Sequence, residues 1–255
     1  LCRRRGDSMT CQLILDDCLS IMKTMPDGGF DAIITDPPYN VSITGRQINR
    51  RKGTKFEGPK NINLDFGYWD HGQTDWKIYI DDFVRLLKHT GVLIMFYDKL
   101  HLGTIGLYLQ DKHGFQVRHI GNYIKTNPAP QARKVKWQNG AESFLVATKN
   151  KGMGHHFNYK LGQSPDYFMR SVNYKHEHPT QKPLDLMEWI VRYWSFEGDT
   201  VLDPFAGSGT TLVACERTGR NSVGIEKDPN YYAIAQRRVQ EAGLQKPLFV
   251  EVSTC

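Results

Sequence analysis

The sequence predicts an α/β domain built on a mostly parallel sheet, with its chemistry gathered at the edge where the strands end. Apolar runs over 30–35 and 92–97 have the hydrophobicity of strands buried on both faces, and 221–226 reads as a further strand. They alternate with stretches at helical spacing, 76–89 and 184–194, that carry one apolar stripe each. The strands ending near Asp17, Asp36, Asp203 and Glu226 all present a carboxylate at the tip. Carboxyl ends of strands are where open α/β sheets bind ligands.

Taken in order, Gln12-Leu13-Ile14-Leu15-Asp16-Asp17 reads as a strand tipped with acids, and 19–25 as a short helix stopped by Pro26-Asp27-Gly28-Gly29. Asp17 is placed to cap that helix. The next strand runs into Asp36-Pro37-Pro38-Tyr39. Neither proline offers an N–H, and each restricts the residue before it. The result is a rigid set of acceptors beside a ring face, which suits a planar group bearing an NH2. Residues 41–75 are polar and Gly-rich. Arg46, Arg50, Arg51, Lys52, Lys55 and Lys60 stand there against Glu57 alone up to Lys60. A loop of that length is either functional or a solvated insertion.

Helix 76–89 is expected to end at Gly91, ahead of strand 92–97; helix 100–110 is closed by Gly114. Strands follow over 115–124 and 143–148, and no clear helix separates them, so the two should pair antiparallel at one end of the sheet. Between them Lys125, Arg133, Lys134 and Lys136 accompany Asn127 and Trp137 without an acid. Basic and aromatic residues interleave again over 149–176, a composition that suits backbone contact with base stacking. Each of these cations taken singly also serves as a plain surface charge. Helix 184–194 starts after Pro183. Strand 200–202 enters the turn Asp203-Pro204-Phe205-Ala206-Gly207-Ser208-Gly209, and helix 210–217 follows. Leu212 stands where a nicotinamide fingerprint needs Gly or Ala. Glu226 lies 226 − 209 = 17 residues beyond Gly209, close to the spacing at which an acid reaches ribose hydroxyls. A last helix runs from Asp228 to about Gln240, and 241–255 is an uninformative tail.

The chain has 255 residues, enough for a substantial core, and a net charge of +6 with pI near 9.0 suits a polyanionic partner. Cys2, Cys11, Cys18, Cys215 and Cys255 form no C-x-x-C pair, so reduced thiols and an intracellular location are expected, with no zinc site. His155-His156 has no third ligand at metal spacing, and no metal is expected. No apolar run approaches the roughly 18 to 20 residues of a membrane span. Residues 1–11 read as a trimmed, disordered end and 12–240 as one domain.

The Asp-Pro-Pro-Tyr stretch resembles the catalytic motif of the amino-group DNA methyltransferases. Asp203 to Thr211 is similar to their S-adenosylmethionine motif. The order, catalytic motif first, is that of the β class, as is His178-Pro179-Thr180-Gln181-Lys182-Pro183. The resemblance spans about 12 to 240 and implies a permuted Rossmann-like methyltransferase fold, with a catalytic half over 12–150 and a cofactor half over 177–240. It implies that Asp36 and the Pro37 carbonyl, with Pro38 and Tyr39, activate and hold an adenine whose N6 amine is methylated in double-stranded DNA. It also implies that Asp203, Phe205, Ala206, Gly207, Ser208, Gly209 and Glu226 bind the cofactor, with Asp17 at its adenine and Thr180 and Lys182 at its methionine end. Asp16 stands where the family often has Gly, which leaves a one-residue ambiguity at Asp17. Tyr123-Ile124-Lys125-Thr126-Asn127-Pro128 is similar to an aromatic-x-Lys-x-Asn-Pro run the family often carries here, in a loop suited to holding the displaced strand or the flipped base. Target recognition falls on 41–75 and 149–176. Arg46, Arg50, Arg51, Lys52, Lys125, Asn127, Arg133, Lys134 and Lys136 are the DNA-binding candidates. Cytosine N4, an RNA or protein amide, and a catalytically silent DNA-binding subunit are the alternatives. A homodimer is expected by analogy only.

Overall fold

A computed structural model describes residues 10–38, 76–129, 137–150, 152, 156–172 and 181–244. The described elements are β1 (Cys11–Leu15), α1 (Cys18–Thr24), β2 (Phe30–Thr35), α2 (Lys77–Leu86), β3 (Leu87–Phe96), α3 (Lys99–His113), β4 (Gln116–Lys125) and β5 (Ala141–Thr148). They continue with β6 (Tyr167–Arg170), α4 (Leu184–Trp194), β7 (Thr200–Asp203), α5 (Thr210–Thr218), β8 (Asn221–Glu226) and α6 (Pro229–Leu244).

The strands form an 8-stranded sheet in the order β1-β8-β7-β2-β3-β5-β4-β6. Only β5 runs against its neighbours, pairing antiparallel with both β3 and β4, while the other described pairs are parallel. The expected antiparallel pair is therefore present, with β6 added outside it. Alternate residues of the central strands feed two cores. Ile33, Leu93, Met95, Leu145 and Leu202 pack under α1, α2 and α3. Ala32, Ile34, Val92, Ile94, Phe96 and Val201 pack under α4 and α5. Burial on both faces is why β2 is mostly apolar, its six residues all buried and Asp31 and Thr35 each hydrogen-bonded.

Two boundaries differ from expectation. Helix α2 stops at Leu86, and Leu87 already belongs to β3, opposite Phe30. Gly91 sits inside that strand, where a Cβ would lie 2.9 Å from both Leu87 Cδ2 and the Lys88 carbonyl. It accommodates an irregular register rather than ending a helix. Strand β6 breaks no hydrophobic rule because it has almost none to follow; its burial is that of an exposed edge. No helix among the described residues is long and apolar enough to cross a membrane.

The opposite end of the sheet from the strand tips carries a charge cluster. Asp31 accepts from Lys88 Nζ at 2.7 and 2.8 Å and from the Thr200 amide at 2.9 Å. His156 Nε2 stands 3.4 Å from Asp31 and 3.5 Å from Asp199, and its Nδ1 is 3.0 Å from the Thr90 carbonyl. With one ring nitrogen donating to a carbonyl, the other faces two carboxylates and favours the protonated ring. Hydrogen bonding to Asp31 raises the His156 pKa against the opposing effect of burial. Burial pushes Asp31 up, but His156, Lys88 and Thr200 outweigh it and hold the carboxyl at about 2. His156→Ala should therefore cost about 1 to 3 kcal/mol of stability. Because the folded pKa is raised, that contribution is complete below the unfolded histidine value and is lost as pH rises through the folded one. Thermal melts at pH 6 and pH 9 should show a large deficit for the variant at the first and a small one at the second.

Candidate active site

The order in which the chain lays down strands reverses between the parallel neighbours β2 and β7. From β2 the chain proceeds to β3 on one side, and from β7 to β8 on the other. Such a switch point leaves a crevice outside the strand ends. The order β1-β8-β7-β2 sets Asp17, Glu226, Asp203 and Asp36 in a row along it.

Glu226 is held by the turn it faces. Its Oε2 accepts from the Gly207 amide and its Oε1 from the Asp228 amide, both at 2.7 Å. Burial raises its pKa despite those bonds. Asp17 caps α1, accepting from the amides of Leu19 at 3.0 Å and Ser20 at 3.3 Å. Its other oxygen lies 3.6 Å from Lys227 Nζ. Asp203 turns inward. One oxygen accepts from Thr35 Oγ1 at 2.9 Å and from the Phe205 amide at 3.1 Å. Burial lifts this carboxyl to about 6, against hydrogen bonds from Thr211, Thr35 and Phe205. Asp203 thus braces the glycine turn against β2.

Within the turn, the Ala206 amide bonds the Ile225 carbonyl at 2.9 Å, and Phe205 meets Tyr79 edge-on at 5.0 Å. Gly209 has φ +78, and a Cβ there would come within 2.8 Å of Ala235 Cβ, so α6 packs directly on the turn. Arg238 from α6 donates to Ser208 Oγ at 2.9 Å, and that hydroxyl lies 3.1 Å from Gln181 Oε1.

At the end of β2, Asp36 is split between two environments. Its Oδ2 is ion-paired to Lys182 Nζ, while its Oδ1 is buried with no hydrogen-bond partner among the described residues. Burial raises the Asp36 pKa, and Lys182 opposes the rise. The ammonium of Lys182, expected at the methionine end of the cofactor, joins Asp36 to Glu142 Oε2 at 3.1 Å and stands 5.0 Å from the centroid of Phe96. Lys125, one of the DNA-binding candidates, is ion-paired to Glu142. Burial pushes Glu142 up, but Lys182 and Lys125 together hold it at about 2. Asn127 likewise faces the protein, exchanging hydrogen bonds with the backbone of Val172 at 3.1 and 2.5 Å. Glu142 and Arg238 escaped the sequence reading, since neither lies in a motif. Tyr39, Thr180, Arg46, Arg50, Arg51, Lys52, Arg133, Lys134 and Lys136 lie outside the described residues.

A DNA methylase family model for N6 and N4 amino methylation matches residues 30–237. The chain belongs to the amino-group DNA methyltransferases. Over 247 residues the methyltransferase is 31% identical to the Type II methyltransferase M2.DpnII of Streptococcus pneumoniae, covering 89% of each chain. It is 29% identical to M.HinfI of Haemophilus influenzae, covering 90% of this chain and 68% of that one. The crystal structure of the M1.HpyAVI–SAM complex superposes with a TM-score of 0.68 at 28% identity, over 90% of this chain and 100% of that one. The cytosine-N4-specific PvuII methyltransferase, 18% identical with a TM-score of 0.69, shares the fold. The methyltransferase uses S-adenosylmethionine and acts on DNA. The donor set fits that cofactor. Carboxylates crowd a glycine turn, which suits a sulfonium cation bearing ribose hydroxyls better than it suits a pyrophosphate.

Proposed function

We propose that this methyltransferase transfers the methyl group to the N6 amine of adenine in double-stranded DNA. The observation that carries the reading is the buried, unpartnered Oδ1 of Asp36 at the strand end beside the cofactor turn. An exocyclic amine on a base is a poor nucleophile because its lone pair is delocalised into the ring. Asp36 Oδ1 and the Pro37 carbonyl accept its two N–H bonds, draw the nitrogen toward a tetrahedral shape and free that lone pair. Tyr39 stacks on the base, which has left the duplex to reach the cleft. Glu226, Asp17 and the turn 205–209 would hold S-adenosylmethionine, which would supply an electrophilic methyl group, the bonding pair staying with sulfur. The methylated nitrogen then carries a positive charge and gives a proton to Asp36, whose burial favours taking it. Positioning and preorganised dipoles account for most of the acceleration.

Adenine is favoured over cytosine because β-class enzymes acting on cytosine N4 more often carry Ser in place of Asp36. Duplex DNA is favoured by the basic segment 46–60 and by Arg133, Lys134 and Lys136 beside Trp137, whose ring is 96% exposed at the entry to β5. The test incubates the protein with S-adenosylmethionine and unmethylated genomic DNA, then separates the nucleosides by mass spectrometry. N6-methyldeoxyadenosine is the expected product. N4-methyldeoxycytidine would overturn the assignment.

A further inference from the structure

The reversed strand β5 gives the active site something that a parallel strand would not. Its first residues, rather than its last, lie at the level where β2 and β3 end, since Phe144 is the register partner of Phe96. Glu142 is thereby brought to the crevice, where Lys182 reaches it from the residue before Pro183 and Lys125 from the end of β4. Charges alternate along the array, from Asp36 to Lys182 to Glu142 to Lys125, and cancel.

We propose that Glu142 is a positioning residue for methyl transfer. By taking one side of the Lys182 ammonium, it confines that group to Asp36 Oδ2 and leaves Oδ1 open to the substrate amine. The inference rests on the reading that Asp36 activates an exocyclic amine. An ammonium has three donors and no acceptor. One reaches Asp36 and a second reaches Glu142 at 3.1 Å, and the Lys182 side chain is 8% exposed beside Phe96. Without Glu142 those donors are released to straddle both oxygens of Asp36. They would then compete with the amine and make the carboxylate less basic. Without Lys182, Asp36 would be a bare buried carboxylate facing Glu142 and Asp203 as like charges. The groups facing Asp36 are therefore Lys182 before α4, Glu142 on β5, Lys125 on β4 and Asp203 on β7. The two removals act on it with opposite sign.

The test compares wild type with Glu142→Gln, Glu142→Asp and Lys182→Met. A ¹³C NMR titration of the Asp36 carboxyl, with no DNA present, should show the midpoint lowered in Glu142→Gln and raised in Lys182→Met. Single-turnover methylation of unmethylated duplex DNA should show the acid limb of the rate profile following those midpoints. Its plateau should fall about tenfold to a hundredfold in Glu142→Gln and largely recover in Glu142→Asp. S-adenosylmethionine affinity and melting temperature should stay near wild type in Glu142→Gln. An Asp36 midpoint unmoved in Glu142→Gln, or moved the same way in both variants, would overturn the inference. So would a rate loss that merely tracks melting temperature. Midpoints that move as stated while wild type methylates no exocyclic amine would leave the coupling standing and strike the functional reading instead.

Discussion

Asp36→Ala should lower single-turnover methyl transfer by about a thousandfold or more while changing S-adenosylmethionine affinity by less than about twofold. The loss follows from removing the only described carboxylate oxygen that is both buried and unpartnered at the cleft. The cofactor should be spared because the groups proposed to hold it follow the neighbouring strands β7, β8 and β1. Lys182 keeps Glu142 as a partner in the variant, so the site is not left with an unpaired buried ammonium. Quench-flow with labelled cofactor, alongside calorimetry of cofactor binding, reads both halves of the statement. A variant that turns over at the wild-type rate would remove Asp36 from the mechanism.

Glu226→Ala should produce the complementary phenotype. Cofactor binding weakens by about 1 to 3 kcal/mol, the range for losing charge-assisted hydrogen bonds, and turnover at saturating cofactor falls far less. Two effects combine. The ribose hydroxyls lose the acceptor proposed for them, and the Gly207 and Asp228 amides that Glu226 pinned at 2.7 Å lose theirs. Because burial raises the Glu226 pKa, the wild-type affinity should also decline on acidification, beginning above the ordinary glutamate range. Calorimetry from pH 5 to 8 checks both. An affinity unchanged in the variant would remove Glu226 from the cofactor site.

What could be read from the chain was whatever local chemistry had to announce. Pro37-Pro38 and Gly207-Gly209 each mark the point where a buried strand must stop, so the acids at those tips were visible without a fold. Asp17 was legible as a cap for the same reason, and it is one. Strand β6 was not legible, because an exposed edge places no demand on side-chain alternation. The start of β3 was misread because Leu87 continues the apolar stripe of α2 while pairing with Phe30 across the sheet. The charge array was beyond reach for a different reason. Lys182 and Asp36 are 146 residues apart, and nothing near either one says that they meet. Lys125 looked like a surface cation because its acid, Glu142, arrives from the partner strand of an antiparallel pair.

The sheet order has a consequence for how the protein is made. The catalytic strand β2 is flanked by β7, and the early strand β1 is paired only with β8. A nascent chain that has released everything through β6 therefore holds Asp36 with no finished crevice and β1 with no neighbour. Such long-range parallel pairing closes large loops before any contact repays them, which makes folding slow and leaves strand edges open meanwhile. Asp36 gains the strand beside it, and the glycine turn that follows that strand, only when β7 has been made, and β1 waits longer still, for β8.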